Sequence, residues 1–120
     1  MHTRVVQATI KSKRIAEFKN AVTNHDLPAI RTQPGFLGDL VMYSGASFIA
    51  ITFWQSEQDA ELYSQELFPR LAARSAPLVD NILRVENYRL VSRAVFEMES
   101  VAASKVETLP VRQLAAVAAA

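Results

Sequence analysis

The chain has 120 residues, half of them apolar, and its 13 basic and 12 acidic side chains leave a formal charge of +1. This length suits one domain with one substantial core, and so even a charge balance supplies no footprint for nucleic acid or an anionic membrane. The lack of cysteine excludes disulfides, thiolate metal sites and cysteine nucleophiles. No apolar run reaches signal-peptide or membrane-span length, so a soluble, unprocessed, cytoplasmic chain is expected.

Residues 4–10, Arg-Val-Val-Gln-Ala-Thr-Ile, are rich in β-branched side chains and predict a first strand, with Val6, Ala8 and Ile10 on one face and Val5, Gln7 and Thr9 on the other. Ser12 is placed to cap a helix. Ile15, Phe18, Ala21 and Val22 form its apolar stripe, and Pro28 should interrupt it near Leu27, with a last turn through Ala29 and Ile30. Pro34-Gly35 makes a turn into a second strand, Phe36 to Tyr43, and Ser44-Gly45-Ala46 connects it to a third, Ser47 to Trp54. Ser56 is an N-cap followed by Glu57, Asp59 and Glu61, which suit a helix N-terminus. Ala60, Tyr63, Leu67 and Leu71 continue the stripe, while Pro69 and Pro77 predict a divided helix. Leu83 to Val91 reads as the fourth strand.

The order βαββαβ is that of an α+β, ferredoxin-like domain in which both helices cover one face of a four-stranded antiparallel sheet. Alternation assigns Val5, Gln7, Thr9, Leu37, Val41, Tyr43, Phe48, Ala50, Thr52 and Trp54 to the second face, although one bulge would swap part of a strand. A face so apolar calls for a cover, and a second copy supplies one, so a homodimer is expected. Residues 1–92 form this domain. Residues 93–120 are an extension: 93–98 can extend a strand and Thr108-Leu109-Pro110 can open a short helix, either docking on the partner or fraying.

Pro34-Gly35-Phe36, followed eighteen residues after Phe36 by Trp54-Gln55-Ser56-Glu57, resembles the antibiotic biosynthesis monooxygenase family of dimeric α+β barrels over roughly residues 4–92. The resemblance implies a cofactor-independent monooxygenase acting on aromatic, quinol-like substrates, or a relative of one. Trp54 matches the family's tryptophan, and Gln7 stands where the oxygenases and haem degraders often carry an asparagine. Haem-degrading relatives place an iron-binding histidine on the second helix; Ser56 to Asp80 contains none, which sets haem degradation behind the other readings.

Each candidate side chain has two readings. Trp54 is a wall for a planar aromatic ligand or packing at the strand-to-helix junction. Gln7, Tyr43 and Thr52 line a pocket on the dimer-facing surface, with Gln7 orienting a carbonyl and Tyr43 donating to an oxyanion, or they are simply satisfied by interior hydrogen bonds. Asp39 is a base if desolvated, otherwise an exposed edge carboxylate. His25 in Asn24-His25-Asp26 is a base if the Pro28 kink turns it inward, otherwise a charge at a helix C-terminus. Arg31 binds an anionic group or pairs at the surface. No metal site, no cofactor site and no phosphate-binding loop is expected. The competing class is a non-catalytic ligand-binding or interaction module, and a titratable group inside the cavity is what separates it from an enzyme.

Overall fold

A computed structural model of the chain describes residues 1–81, 84–92 and 94. Strand β1 spans His2–Thr9, and β2 (Phe36–Ser44) and β3 (Ser47–Trp54) form a hairpin whose two-residue turn has Gly45 at φ 56°, the backbone that a Gly-first hairpin turn demands. β4 is Arg84–Arg89. The sheet order is β2-β3-β1-β4, with every pair antiparallel. This is the ferredoxin-like arrangement expected from the element order. The expected strand over 93–98 and the helix beginning at Thr108 lie outside the described residues, Ala94 apart.

The first helical layer differs from its expectation in two ways. Helix α1 is Ile15–Ala21 with Arg14 at its N-cap and no side-chain cap. Ser12 lies two residues too early, because the chain first closes a backbone turn from Arg14 N–H to the Lys11 carbonyl at 2.8 Å. The helix then widens into a π-helical turn over Val22–Asp26, closed by Leu27 N–H donating to the Val22 carbonyl, before α2 (Leu27–Ile30) resumes. Pro28 explains the widening: it has no N–H for the Asn24 carbonyl and its ring clashes with an α-helical one. A wide turn before the proline keeps the helix going, so Pro28 deforms the helix without ending it.

Helix α3 (Glu57–Glu66) begins at Ser56, whose hydroxyl accepts from Asp59 N–H at 3.1 Å and donates to the Asp59 carboxylate at 2.9 Å. The expected division at Pro69 is present: α4 (Phe68–Ser75) starts with that proline in its first turn, and a 3₁₀ turn, Ala76–Leu78, follows.

Two core clusters fill the space between sheet and helices. One joins Ala8, Ile10, Phe48, Phe18, Val22, Leu27 and Leu78; the other joins Trp54, Ile30, Ala60, Tyr63, Leu67 and Leu71. Register pairs Arg4, Val6 and Ala8 with Thr52, Ala50 and Phe48, and these with Asp39, Val41 and Tyr43, so all nine share the helix-covered face. The opposite face carries Val5, Gln7, Thr9, Leu40, Met42, Ile49, Ile51 and Phe53. A bulge at Leu37 lets Phe36 and Val41 both point inward although an odd number of residues separates them. The face assignment is therefore as expected for β1 and reversed for Val41, Tyr43, Phe48, Ala50, Thr52 and Trp54.

Gly35 has φ 78°, and a Cβ there would fall inside the Asp59 carboxylate, whereas Gly45 at φ 56° has open space around it. Gly35→Ala should therefore cost about 2–4 kcal/mol by urea unfolding, against about 1–2 kcal/mol for Gly45→Ala. Equal losses would show that the Asp59 contact carries no strain.

Candidate functional site

The interface between the helices and the sheet is incompletely filled. A partly open cavity of about 60 Å³ lies there, walled mainly by Val6, Phe18, Leu27, Phe48, Ala50 and Leu71. At about 10–15 Å³ per water centre it accommodates a few waters. Two carboxylates, Asp26 and Asp39, and three hydroxyl-bearing side chains, Thr52, Tyr63 and Ser75, also line it.

Asp26 owes its position to the π turn. The wide turn keeps Val22, Asp26 and Leu27 on the buried side and leaves His25 exposed. Asp26 is 7 % exposed and its Oδ1 has no hydrogen-bond partner. Burial raises its carboxyl pKa above the usual value, only partly opposed by the charges of Arg74 and His25. The Tyr43 hydroxyl is likewise buried and unpartnered. Burial and the nearby Asp26 charge raise its pKa, so it keeps its proton and can donate. A desolvated carboxylate thus lines the cavity, and an unpartnered phenol lies within electrostatic reach of it.

Asp39 has its charge answered already. Arg31 donates to it through two nitrogens, at 2.9 and 3.1 Å, which raises the arginine's pKa. The carboxylate is on edge strand β2, yet its side chain is only 10 % exposed. It is thus neither the solvated edge acid nor a free base, and Arg31 pairs within its own chain.

At the other end, Trp54 is 0 % exposed. Tyr63 stacks on it at 4.8 Å between centroids, Phe36 meets it edge-on at 5.8 Å, and its indole N–H donates to Thr52 Oγ1 at 2.8 Å. Burial pushes the Tyr63 phenol up to about 12. Next to Tyr63 lies Arg4, the register partner of Thr52 and 6 % exposed. Its guanidinium carbon sits 4.5 Å from the Phe68 ring centre and 5.7 Å from that of Tyr63. Its Nε has no hydrogen-bond partner, and no ion pair among the described residues involves it. Ring contacts contribute up to about 2 kcal/mol when desolvated, whereas burying an ion costs several. The rings alone do not offset that burial.

The structure places Tyr43, Thr52 and Trp54 on the helix-covered face, not on the open face where alternation put them, and Asp39 shares that face as the register partner of Thr52. Gln7 is on the open face and separated from them by the sheet; it lines a shallow groove of about 330 Å³ with Ser47, Ile49, Asn81 and Arg84. That groove is the larger opening, but its polar lining lacks a buried titratable group. His25 faces outward. Asp26 and Arg4 escaped sequence reasoning, the first because an α-helical period does not separate it from His25, the second because an arginine opening a strand reads as solvated. Among the described residues no three His, Asp or Glu side chains converge as metal ligands, and no helix is long and apolar enough to cross a membrane.

No family model matches the chain, and no curated protein matches it. Solved structures do. An antibiotic biosynthesis monooxygenase superposes with a TM-score of 0.64 at 18% identity, covering 77% of this chain and 100% of that one. SnoaB, a cofactor-independent oxygenase from Streptomyces nogalater, superposes at 0.63 with 20% identity over 80% of this chain and 96% of its own. The haem degrader MhuD from Mycobacterium tuberculosis, solved with two haems in its active site, superposes at 0.61 with 16% identity over 79% and 100%. The chain therefore has the antibiotic biosynthesis monooxygenase fold.

Thr52→Val removes the acceptor of a fully buried indole N–H and should cost about 1–3 kcal/mol by denaturant unfolding; a neutral result would mean that the indole finds another partner. For Asp26 the folded state holds the proton more tightly than the unfolded state. That preference stabilises the fold fully below the ordinary value of 3.8 and is lost as pH rises through the raised folded value. Asp26→Asn, which cannot ionise, should therefore melt above the parent at pH 7, with the difference vanishing below pH 3.8. A difference of opposite sign would show that the carboxylate is paired.

Proposed function

We propose that this protein is a cofactor-independent oxygenase of electron-rich aromatic substrates, working in the cavity between helices and sheet. One observation carries the reading: Asp26, a buried carboxylate without a partner at Oδ1, lines an apolar cavity. A ligand-binding module has no use for such a group, whose desolvation opposes folding, whereas a general base does.

The chemistry follows from the substrate. Asp26 takes the proton of a phenol or enolisable ring ketone, and Tyr43 donates to the oxyanion left behind. That anion delivers its electrons to dioxygen. In an enolisable ring ketone the methylene becomes a carbonyl, and in a phenol or quinol one ring C–H is oxygenated and the ring is left as a quinone. Either way one oxygen atom enters the product and the other leaves as water with two of the substrate's hydrogens. Substrate and dioxygen balance without another reductant. The protein deprotonates, orients and excludes water. Trp54, enclosed by its own neighbours, serves by holding the cavity wall. Gln7, His25 and Asp39 have no part in proton transfer on this reading. A single-ring quinol is the smallest such substrate and asks the least of a cavity of about 60 Å³.

The open face belongs to the same proposal. Leu40, Met42 and Tyr88 are each about half exposed there, beside Val5, Ile49, Ile51 and Phe53, and a second copy covers them most economically. Sedimentation should give twice the 13.3 kDa chain mass, and Ile51→Lys should give the single mass with the helix signal retained. A parent chain sedimenting as a monomer overturns the dimer.

For the activity, quinols and enolisable phenolic ketones of one to three rings should be followed by oxygen uptake under isotopically labelled dioxygen. Saturable uptake above the spontaneous rate, one labelled atom in the product, and a loss of about 10²–10⁴-fold in Asp26→Asn support the reading. Equal turnover by the variant removes Asp26 as the base, and binding without turnover leaves a ligand-binding module.

A further inference from the structure

Arg4 is a buried cation that the proposed chemistry does not use. It stands behind the end of the cavity formed by Thr52, Tyr63 and Phe68: it pairs with Thr52 across the β1–β3 ladder and lies over the two rings. A guanidinium stays charged when buried and presents a planar fork of donors that matches a carboxylate. Here the fork has aromatic faces on one side, an unpartnered Nε, and no carboxylate paired with it among the described residues. Tyr63 lies within electrostatic reach of both Arg4 and Asp26, so the two charges sit around one ring. Phe68, only partly buried at the break between α3 and α4, lines the cavity and stands between it and the guanidinium.

We propose that Arg4 is an anion-recognition subsite of this cavity, receiving the carboxylate of an aromatic ligand whose ring lies among the apolar residues and whose hydroxyl faces Asp26. The substrate class is then an aromatic hydroxy acid. This rests on the proposed function only in taking the same cavity as the binding site. Cation on one side and carboxylate on the other also set the ligand's direction, since the reverse orientation opposes two carboxylates. The recognised anion is a ring-borne carboxylate: a small free anion lacks the apolar burial that carries it past Phe68.

The test is calorimetric titration of the full chain with benzoate, with benzamide (the same shape without charge), with acetate and with hydroquinone. Benzoate should bind about tenfold or more tightly than benzamide, as expected for hydrogen bonds to a charged partner, and acetate should bind weakly. In Arg4→Met the preference should disappear while hydroquinone affinity stays unchanged. That variant should also melt above the parent, since it removes a buried unpaired charge. Should Arg4→Met not fold, Arg4→Lys carries the test, and its preference should fall at least about threefold for want of the fork. Equal binding of benzoate and benzamide by the parent, or an undiminished preference in the variant that folds, overturns the Arg4 subsite. Hydroquinone binding without a carboxylate preference sinks the subsite alone. Failure of every probe sinks the cavity reading with it.

Discussion

The enclosure of Trp54 is the contact on which the arrangement of strands and helices depends. The indole ends β3, packs on Tyr63 from α3, receives Phe36 from the start of β2 and ties its N–H to Thr52 two residues back. Burying such a ring contributes about 4–6 kcal/mol at most, from about 150–250 Å² at 25 cal/mol/Å². The same corner admits the Pro34-Gly35 turn, because only a residue without a side chain fits against Asp59, the acid that Ser56 holds at the start of α3. Gln55 N–H closes the corner on the Gly35 carbonyl at 2.8 Å. The two short sequence motifs are thus one packing unit, which is why they indicate a fold more firmly than an activity.

Around that corner the interior is polar in an incomplete way. Thr3, Arg4, Asp26 and Tyr43 each bury a donor or acceptor without a partner, whereas Thr52 with Trp54 and Asp39 with Arg31 are well-made contacts. Unsatisfied groups oppose folding. Of these Asp26 lines the cavity, brought there by the π turn before Pro28, while Tyr43 lies within electrostatic reach of it and Arg4 stands behind Tyr63 and Phe68. On the proposed reading those three form a site organised for a ligand at some expense of stability.

Much of the fold was legible in the residues. The Gly45 hairpin, the Ser56 cap, the division at Pro69 and the strand order all follow from local rules about φ angles, orphaned N–H groups and apolar spacing. The candidate site was less so. Strand β3 reads Phe-Ile-Ala-Ile-Thr-Phe-Trp, apolar at odd and even positions alike, so alternation has no contrast by which to choose a face. The bulge at Leu37 then shifts β2 by one residue, and Gly38 beside it is a weak local signal. His25 and Asp26 are equally compatible with an α-helical stripe; the π turn separates them.

Sequence alone determined the elements, their order and the residue types available for chemistry, because those depend on neighbours along the chain. Tertiary structure decided which of two apolar sheet faces meets the helices, which acid loses its water and which finds an arginine. Those outcomes depend on groups far apart in sequence: Asp39 is quiet because Arg31 reaches it, and Asp26 is basic because no such partner does.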